Sequence, residues 1–222
     1  MEPIEKYEHA GLTIEIHTDD SPMNPRTEYD NVGKLVIFEG RRSNFAGVDE
    51  LNGEFKLEDF PNWDEMDTEV LKRYPRAELL PVYRYEHGDV AYNTTGFNDS
   101  WDSGRVGFIL CTREDVIKEW GKKIATAKAR EHARGYLACE VETYSQWANG
   151  EVFGYIVKDE HGNDMDDLHE SCWGFYGLEY CKTEAQSAAE SLAPKWFAGA
   201  VSRAAAVLND ALEAAGQQRL IS

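Results

Sequence analysis

The residues that could carry out nucleophilic catalysis lie around one predicted hairpin. Ser103 follows Asp102 in a Trp-Asp-Ser-Gly turn, and His87 occupies the hairpin that precedes this turn in the chain. A serine nucleophile requires a base within hydrogen-bonding distance and an exposed, strained turn. The GxSxG motif is absent from the sequence, and Asp-Ser-Gly is a favourable turn in its own right. A small hydrolase using these three residues is therefore an alternative, and a simple turn is the preferred interpretation.

A second group of candidates lies in the acidic segment 159–170, which has the length of a calcium-binding loop. Four oxygen-bearing side chains fall at ligand positions one, five, nine and twelve of such a loop: Asp159, Asn163, Asp167 and Glu170. However, His161 replaces the third oxygen ligand, and Asp164 stands where a glycine makes the sharp turn. The flanking residues have the pattern of strands and not of helices. We therefore interpret the segment as a polar hairpin loop.

The cysteine and histidine residues do not form a recognisable zinc motif. The four side chains that could be grouped around zinc have spacings unlike the usual ligand pairs: His161, His169, Cys172 and Cys181. The cysteines of the chain, which form no CxxC pair, are Cys111, Cys139, Cys172 and Cys181. In an intracellular protein such residues are most simply reduced thiols. We expect four unpaired thiols, no bound metal and no cofactor.

Charge is the strongest compositional signal. The chain has 222 residues and a net charge of −18, from 41 acidic and 23 basic residues. Such a field repels nucleic acids and anionic membranes, and it attracts basic partners. A hydrophobic fraction of 42% argues against disorder and suffices for a packed core. Because the sequence lacks a signal-peptide pattern and any apolar run near the ~20 residues that span a bilayer, we expect a cytoplasmic protein.

The acidic residues are concentrated in two stretches. The first contains nine acids and one base, and its acids are Asp49, Glu50, Glu54, Glu58, Asp59, Asp64, Glu65, Asp67 and Glu69. The second contains six acids and no base: Asp159, Glu160, Asp164, Asp166, Asp167 and Glu170. Ordered carboxylates can compete with duplex DNA, which carries one charge per ~1.7 Å of its axis. The simpler alternative is a solvated acidic surface that maintains solubility.

The pattern of apolar residues predicts an α+β fold with a mainly antiparallel sheet and helices packed on it. The stretches that we expect to be strands of one sheet are 34–38, 79–85, 106–111, 151–157 and 171–176, and 12–17 also has strand-like alternation. Gly88 is predicted to supply the turn of a hairpin between residues 79–85 and 90–94. Thr112 is positioned to cap a helix that runs into Trp120.

The remaining helices are predicted in the second half of the chain. One covers 122–147 and is broken or bent at Gly135. The C-terminal helical segment 183–216 packs on the sheet and is interrupted at Pro194, because proline removes a backbone donor. We find no internal repeat, low-complexity tract or linker. These features favour a single α+β domain over residues 1–222.

Three stretches form a distinctive combination. They are Asn24-Pro25-Arg26 with Asp30-Asn31-Val32-Gly33, then Trp101-Asp102-Ser103-Gly104-Arg105-Val106-Gly107-Phe108-Ile109, then Ser171-Cys172-Trp173-Gly174-Phe175-Tyr176-Gly177. The combination resembles small accessory proteins encoded by bacteriophages and other mobile elements, over roughly residues 10–180. The resemblance implies an accessory protein that acts inside a bacterial cell, and it implies no catalytic residue.

Charge and resemblance together favour a non-enzymatic inhibitor. Carboxylates of the two acidic stretches would engage the Lys and Arg side chains that normally hold phosphates, as in a DNA mimic. The expected partner is a basic host defence complex that processes nucleic acid, such as a restriction enzyme or a CRISPR effector. The alternatives are a small metal-assisted hydrolase and a structural or housekeeping phage protein.

Overall fold

The computed structural model describes residues 2–38, 46–120, 124–159, 162–163 and 171–214. These residues form an α+β fold of two antiparallel sheets and four α-helices, which confirms the predicted fold class. In chain order the elements are β1 (Glu5–His9), β2 (Leu12–Thr18), β3 (Lys34–Ile37), β4 (Val48–Asp49), a 3₁₀ turn (Leu57–Asp59), α1 (Trp63–Arg73), β5 (Glu78–His87), β6 (Asp89–Asn93), β7 (Ser103–Cys111), α2 (Arg113–Glu119), α3 (Ala127–Ala148), β8 (Val152–Lys158), β9 (Ser171–Tyr176) and α4 (Leu178–Ala214).

The chain divides into two compact units. The terminal unit contains Met1–Pro22 and Glu151–Ser222, and the central unit contains Met23–Gly150. Each unit has one sheet, with strand order β1-β2-β8-β9 in the terminal unit and β4-β3-β7-β5-β6 in the central unit. The expectation of a single domain stays a prediction. No helix among the described residues is long and apolar enough to cross a bilayer.

The core of the terminal unit lies between its sheet and α4. Leu12, Ile14 and Ile16 are fully buried and share one face of β2, because alternate residues of a strand point to the same side. They pack with the buried Cys181 and Ala185 of the helix. This layer fixes the register of β2 against β8, since a slip of one residue would turn the apolar side chains to the other face.

The central sheet has an apolar core on each face. On one face, Leu35 and Ile109 pack with Leu137 of α3. On the other, Phe108 and its neighbours pack with Met66 of α1. All five residues are buried, so α1 and α3 lie on opposite faces of the same sheet. The sheet is therefore the rigid frame for the loops and helix ends of this unit.

Two local predictions are confirmed. β5 and β6 form an antiparallel hairpin in which Gly88 has a φ of +86°, a conformation that favours glycine. Thr112 caps α2 in a capping box, in which its side chain accepts from the backbone N–H of Asp115 and the Asp115 side chain accepts from the backbone N–H of Thr112. These two features depend on a few consecutive residues, which is why the sequence predicts them.

Three predictions about larger elements are wrong. The five predicted strands belong to two sheets and not one, because β8 pairs with β2 and β9 in the terminal unit. Gly135 does not break α3, since Ala133 and Leu137 hold both sides of it in the core. Pro194 lies inside the continuous helix α4 and does not interrupt it. Packing of residues on both sides of the proline overrides its local preference.

Candidate functional site

The first of the three motif stretches encloses the buried guanidinium group of Arg26. Its Nε and Nη2 donate to the two carboxylate oxygens of Glu50 at 2.8 and 2.6 Å, and Nη1 donates to Glu140 at 2.7 Å. Asn31 and the carbonyl oxygen of Gly33 accept the remaining hydrogen bonds. Burial alone would lower the pKa of Arg26, but the bonds to Glu50 and Glu140 more than offset this and raise it. We call this arrangement the Arg26 cage.

The same cage fixes the loop before β3. Glu140 also accepts the backbone N–H groups of Val32 and Gly33, and Glu50 accepts that of Leu35. A side chain at Gly33 would place its Cβ 2.4 Å from Leu137. The buried charges of the motif are therefore all paired. These bonds join β3, its preceding loop and α3, so the motif has a structural role.

The second motif is also engaged in the central unit. Arg105 donates to both oxygens of Asp67 at 2.9 and 2.6 Å, and its guanidinium lies 4.6 Å from the ring centroid of Trp63. Gly107 faces the backbone of β3 so closely that an added Cβ would lie 1.9 Å from the carbonyl oxygen of Val36. These contacts attach α1 to the sheet and allow β3 and β7 to approach.

The third motif lies in the terminal unit and builds β9. Trp173 covers Gly154, where an added Cβ would lie 2.2 Å from the indole ring, and its ring centroid is 6.0 Å from that of the buried His17. Gly174 has a φ of +86° beside an irregularity in the β8–β9 pairing. This glycine allows β9 to bulge, so the residues of the motif serve the geometry of the strand.

A buried carboxylate lies on the same face of β2 as His17. Glu15 accepts from Lys6 at 2.8 Å and pairs with Lys158 at 2.9 Å. The hydrogen bond from Lys6, together with Lys158, lowers the pKa of Glu15 to about 2 against the opposing effect of burial. Neither ring nitrogen of His17 has a hydrogen-bond partner among the described residues. The sequence analysis missed this group, although the alternation in β2 could have indicated that Glu15 and His17 share a face.

The candidate hydrolase residues are only partly brought together. His87 Nδ1 lies 2.9 Å from Asp102 Oδ2 on an open surface, where the His87 side chain is 72% exposed. The Ser103 hydroxyl donates to the carbonyl oxygen of Asp99 and not to His87. The arrangement is a histidine–aspartate pair next to a turn whose serine stabilises the turn itself.

Most of the partner-binding acids and metal-ligand candidates predicted in segment 159–170 lie outside the described residues. These are Glu160, His161, Asp164, Asp166, Asp167, His169 and Glu170. Asp159 is buried and accepts from the backbone and side-chain nitrogens of Asn163 at 2.7 and 3.0 Å. Among the residues that the structure describes, no group of three or more His, Cys, Asp or Glu is placed to hold a metal ion.

The four cysteines are separate free thiols, as predicted. Cys111 and Cys181 are buried, and burial raises the pKa of each thiol to about 12. Cys139 and Cys172 are exposed. The zinc grouping is not formed by its described members, since Cys181 lies in the apolar core of the terminal unit.

Five of the nine acids in the first stretch are engaged inside the central unit. Their partners are the backbone N–H groups of Leu51 and Gly53 for Asp49, Arg26 for Glu50, Tyr74 and Arg73 for Glu54, Arg105 for Asp67, and Lys72 and Arg73 for Glu69. The 2.5 Å hydrogen bond to Glu54 raises the pKa of Tyr74 to about 12. Glu50, Glu54, Asp67 and Glu69 thus pair with bases of the same unit, and Asp49 stabilises a turn.

The other four acids form an exposed group, here called the acidic rim: Glu58, Asp59, Asp64 and Glu65. Glu58 and Asp59 belong to the 3₁₀ turn, and Asp64 and Glu65 occupy the first turn of α1. No ion pair joins any of the four to another described residue. The four residues lie within eight positions of the chain, and Asn62 begins α1 between the two halves by accepting the backbone N–H of Glu65.

An open pocket at the surface of the central unit was not foreseen from the sequence. It has a volume of about 330 Å³ and is lined by residues 73–76 and by Thr112, Arg113 and Glu114. We call it the arginine pocket. The sequence does not predict this pocket. Arg73 and Arg76 flank a Tyr-Pro pair, but Arg113 lies far along the chain, and no local pattern connects it to them.

No known protein family, curated protein or solved structure matches this chain. We therefore infer function from the residues and their geometry.

Proposed function

We propose that this protein binds and inhibits a basic, nucleic-acid-processing complex of bacterial host defence, of the restriction or CRISPR type. It acts without catalysis, by occupying a surface that would otherwise hold phosphates. The resemblance to accessory proteins of phages and mobile elements supplies the cellular context of this proposal. The observation that carries it is the acidic rim, in a chain whose net charge is −18.

The rim is suited to this role because its carboxylates have no basic partner among the described residues. Four of the five engaged acids of the same stretch already pair with neighbouring arginines and lysines, so they are less available to a partner. Asp64 and Glu65 also interact favourably with the N-terminus of α1, which keeps them in place. An acidic edge held by a 3₁₀ turn and a capped helix is preorganised and needs little reordering on binding.

The expected binding is electrostatic in character. Rim charges accelerate the encounter of oppositely charged surfaces, and their contribution falls as salt increases. Exposed carboxylates contribute little to folding, typically below about 1 kcal/mol per pair, so they can be changed without unfolding the protein.

The test is inhibition of DNA cleavage by a restriction endonuclease and by a CRISPR effector, each assayed at low and high salt. The test variant carries Glu58→Lys with Asp59→Lys. The matched control carries Glu131→Lys with Glu142→Lys, two exposed acids of α3, so both variants raise the net charge by four from −18. We expect the rim variant to lose inhibition and the control to keep it, with both retaining the native circular dichroism spectrum.

Equal loss in both variants would show that overall charge and not the rim is responsible. Full inhibition by the rim variant would refute the role of the rim. The second candidate, a small hydrolase, is favoured by the His87–Asp102 pair at 2.9 Å. His87→Ala leaves inhibition unchanged if our proposal holds, and it abolishes biological effect if the hydrolase is correct.

A further inference from the structure

The arginine pocket places positive charge at one open site on the surface of a strongly acidic protein. Arg73, Arg76 and Arg113 line it, and Glu114 is its one acidic lining residue. The chain as a whole repels anions, with a net charge of −18. A site for an anion in such a protein must therefore be built from local charges, as this pocket is.

The backbone at Arg76 is strained. Residues Tyr74 to Ala77 form a turn in which the N–H of Ala77 donates to the carbonyl oxygen of Tyr74 at 3.1 Å, with Pro75 at the second position. Arg76 occupies the third position with a φ of +67°, where glycine or asparagine is favoured. A strained backbone conformation persists only where other interactions fix it, and such conformations are frequent at ligand-binding sites.

The other two non-glycine residues with positive φ among the described residues have a simpler explanation. Ala10 and Asn52 each precede a glycine that also has positive φ, at Gly11 and Gly53. Two consecutive positive φ values are the signature of a tight two-residue turn. Arg76 has no such glycine beside it, so the turn alone does not account for an arginine at this position.

The three arginines differ in how far they are neutralised. Arg73 is paired with Glu54 and Glu69. Arg113 has a loose contact with Glu114 at 3.6 Å, and the Glu114 side chain is 77% exposed and free to move aside. The Arg76 side chain has neither a hydrogen bond nor an ion pair to any described residue. The pocket thus offers one guanidinium without a partner among the described residues and a second that is weakly held.

We propose that the arginine pocket binds a small molecule that carries a phosphomonoester, with Arg76 and Arg113 as the groups that hold the phosphate. A planar guanidinium presents paired N–H donors that match phosphate oxygens. The volume of about 330 Å³ lies at the lower end of the ~300–1,000 Å³ range of small-ligand cavities. It leaves room for a sugar or similar group beyond the phosphate. This site is separate from the acidic rim, and its failure would not affect the inhibitor proposal.

The test is titration calorimetry at low ionic strength with inorganic phosphate, ribose 5-phosphate and adenosine monophosphate. We expect the two phosphomonoesters to bind more tightly than inorganic phosphate. Arg76→Gly should weaken their binding about tenfold or more, because it removes a charge-assisted hydrogen-bond donor. Glu114→Gln should strengthen binding, because it removes the one carboxylate of the lining.

One test variant and two controls separate binding from folding. Arg76→Gly relieves the strained backbone, so the ligand-free protein should melt a few degrees higher while binding is lost. Asn52→Gly changes a residue of similar φ outside the pocket, and Lys34→Gln removes an exposed charge elsewhere in the central unit. Both should bind as the wild type does.

Three results would overturn the proposal. The first is failure of both phosphomonoesters to bind the wild type. The second is binding by Arg76→Gly that equals that of the wild type. The third is binding of inorganic phosphate with no gain from the attached sugar, which would exclude a larger phosphorylated ligand.

Discussion

Arg26 and Arg76 lie in the same unit and represent opposite situations. Arg26 is buried in a conspicuous sequence motif, and Glu50, Glu140 and their neighbours accept its hydrogen bonds. Arg76 is exposed, lies in no motif, has a strained backbone and has no partner among the described residues. The side chain of Arg26 holds the fold together through its hydrogen bonds, whereas that of Arg76 makes no such contact with a described residue.

The difference separates structural from functional charge. Burying an ion network costs desolvation free energy, which is offset only when each member has a partner. Removing one member leaves the others as uncompensated buried charges and destabilises the fold. An exposed arginine at a strained backbone position weakens the fold slightly through that strain, so its presence calls for another explanation. The residues that stand out in the sequence are here the structural ones.

The largest expected effect comes from breaking the Arg26 cage. Arg26→Met leaves Glu50 and Glu140 as uncompensated carboxylates, which should cost about 3–5 kcal/mol of unfolding free energy. Urea denaturation measures this loss. The control is Arg134→Gln, because that side chain is 54% exposed and shares Glu78 with Arg130. The control should lose under about 1 kcal/mol, and a similar loss in both variants would contradict the structural role of the cage.

The comparison also explains what sequence reasoning could reach. The hairpin at Gly88 and the capping box at Thr112 are set by neighbouring residues, and both were predicted. The Arg26 cage joins residues 114 positions apart, and no local pattern specifies that contact. The assignment of β8 to a sheet with β2 has the same cause.

The candidate site shows the same limit. Counting acids between residues 49 and 69 identifies a charged stretch, but it does not distinguish Glu58 from Glu54, which is held by Tyr74 and Arg73. That distinction depends on α1 packing beside the turn. The sequence did not predict the arginine pocket, because the strain at Arg76 is a property of the backbone that a Pro-Arg pair does not reveal.

A second prediction asks whether Glu15, a carboxylate of the terminal unit paired with Lys6 and Lys158, stabilises its unit as the Arg26 cage does. The pKa of Glu15 is lowered from 4.5 to about 2, so its contribution is present above pH 4.5 and is lost as the pH falls towards 2. It amounts to at most about 3 kcal/mol, and to less because Lys6 is half exposed. Glu15→Gln should therefore flatten the fall in unfolding free energy between pH 4.5 and 2.

Denaturant titrations at a series of pH values measure this slope. Glu8→Gln, at an exposed position of β1, is the control and should keep the slope of the wild type. A slope that is unchanged in Glu15→Gln would show that the Lys6 and Lys158 contacts do not stabilise the fold.

A third prediction tests whether the second motif is structural, as the Arg26 cage is. Gly107→Ala places a Cβ 1.9 Å from the carbonyl oxygen of Val36 and should cost about 1–3 kcal/mol through overpacking. Gly104→Ala, on the same strand, meets nothing within 4 Å and should change stability little. Thermal unfolding compares the two. Equal melting temperatures would show that β3 adjusts freely to the added methyl group.

The smallest expected effect has the opposite sign and concerns Arg76. If strain is stored at its φ of +67°, stability should rise in the order Arg76→Ala, Arg76→Asn, Arg76→Gly, because tolerance of this conformation increases along that series. The gain for glycine should be about 1 kcal/mol at most, since glycine also increases the entropy of the unfolded chain. Alanine removes the guanidinium and keeps the strain, so Arg76→Ala should match the wild type in unfolding free energy. A loss of stability in both Arg76→Ala and Arg76→Gly would mean that the Arg76 side chain stabilises the fold, and the contrast with Arg26 would then fail.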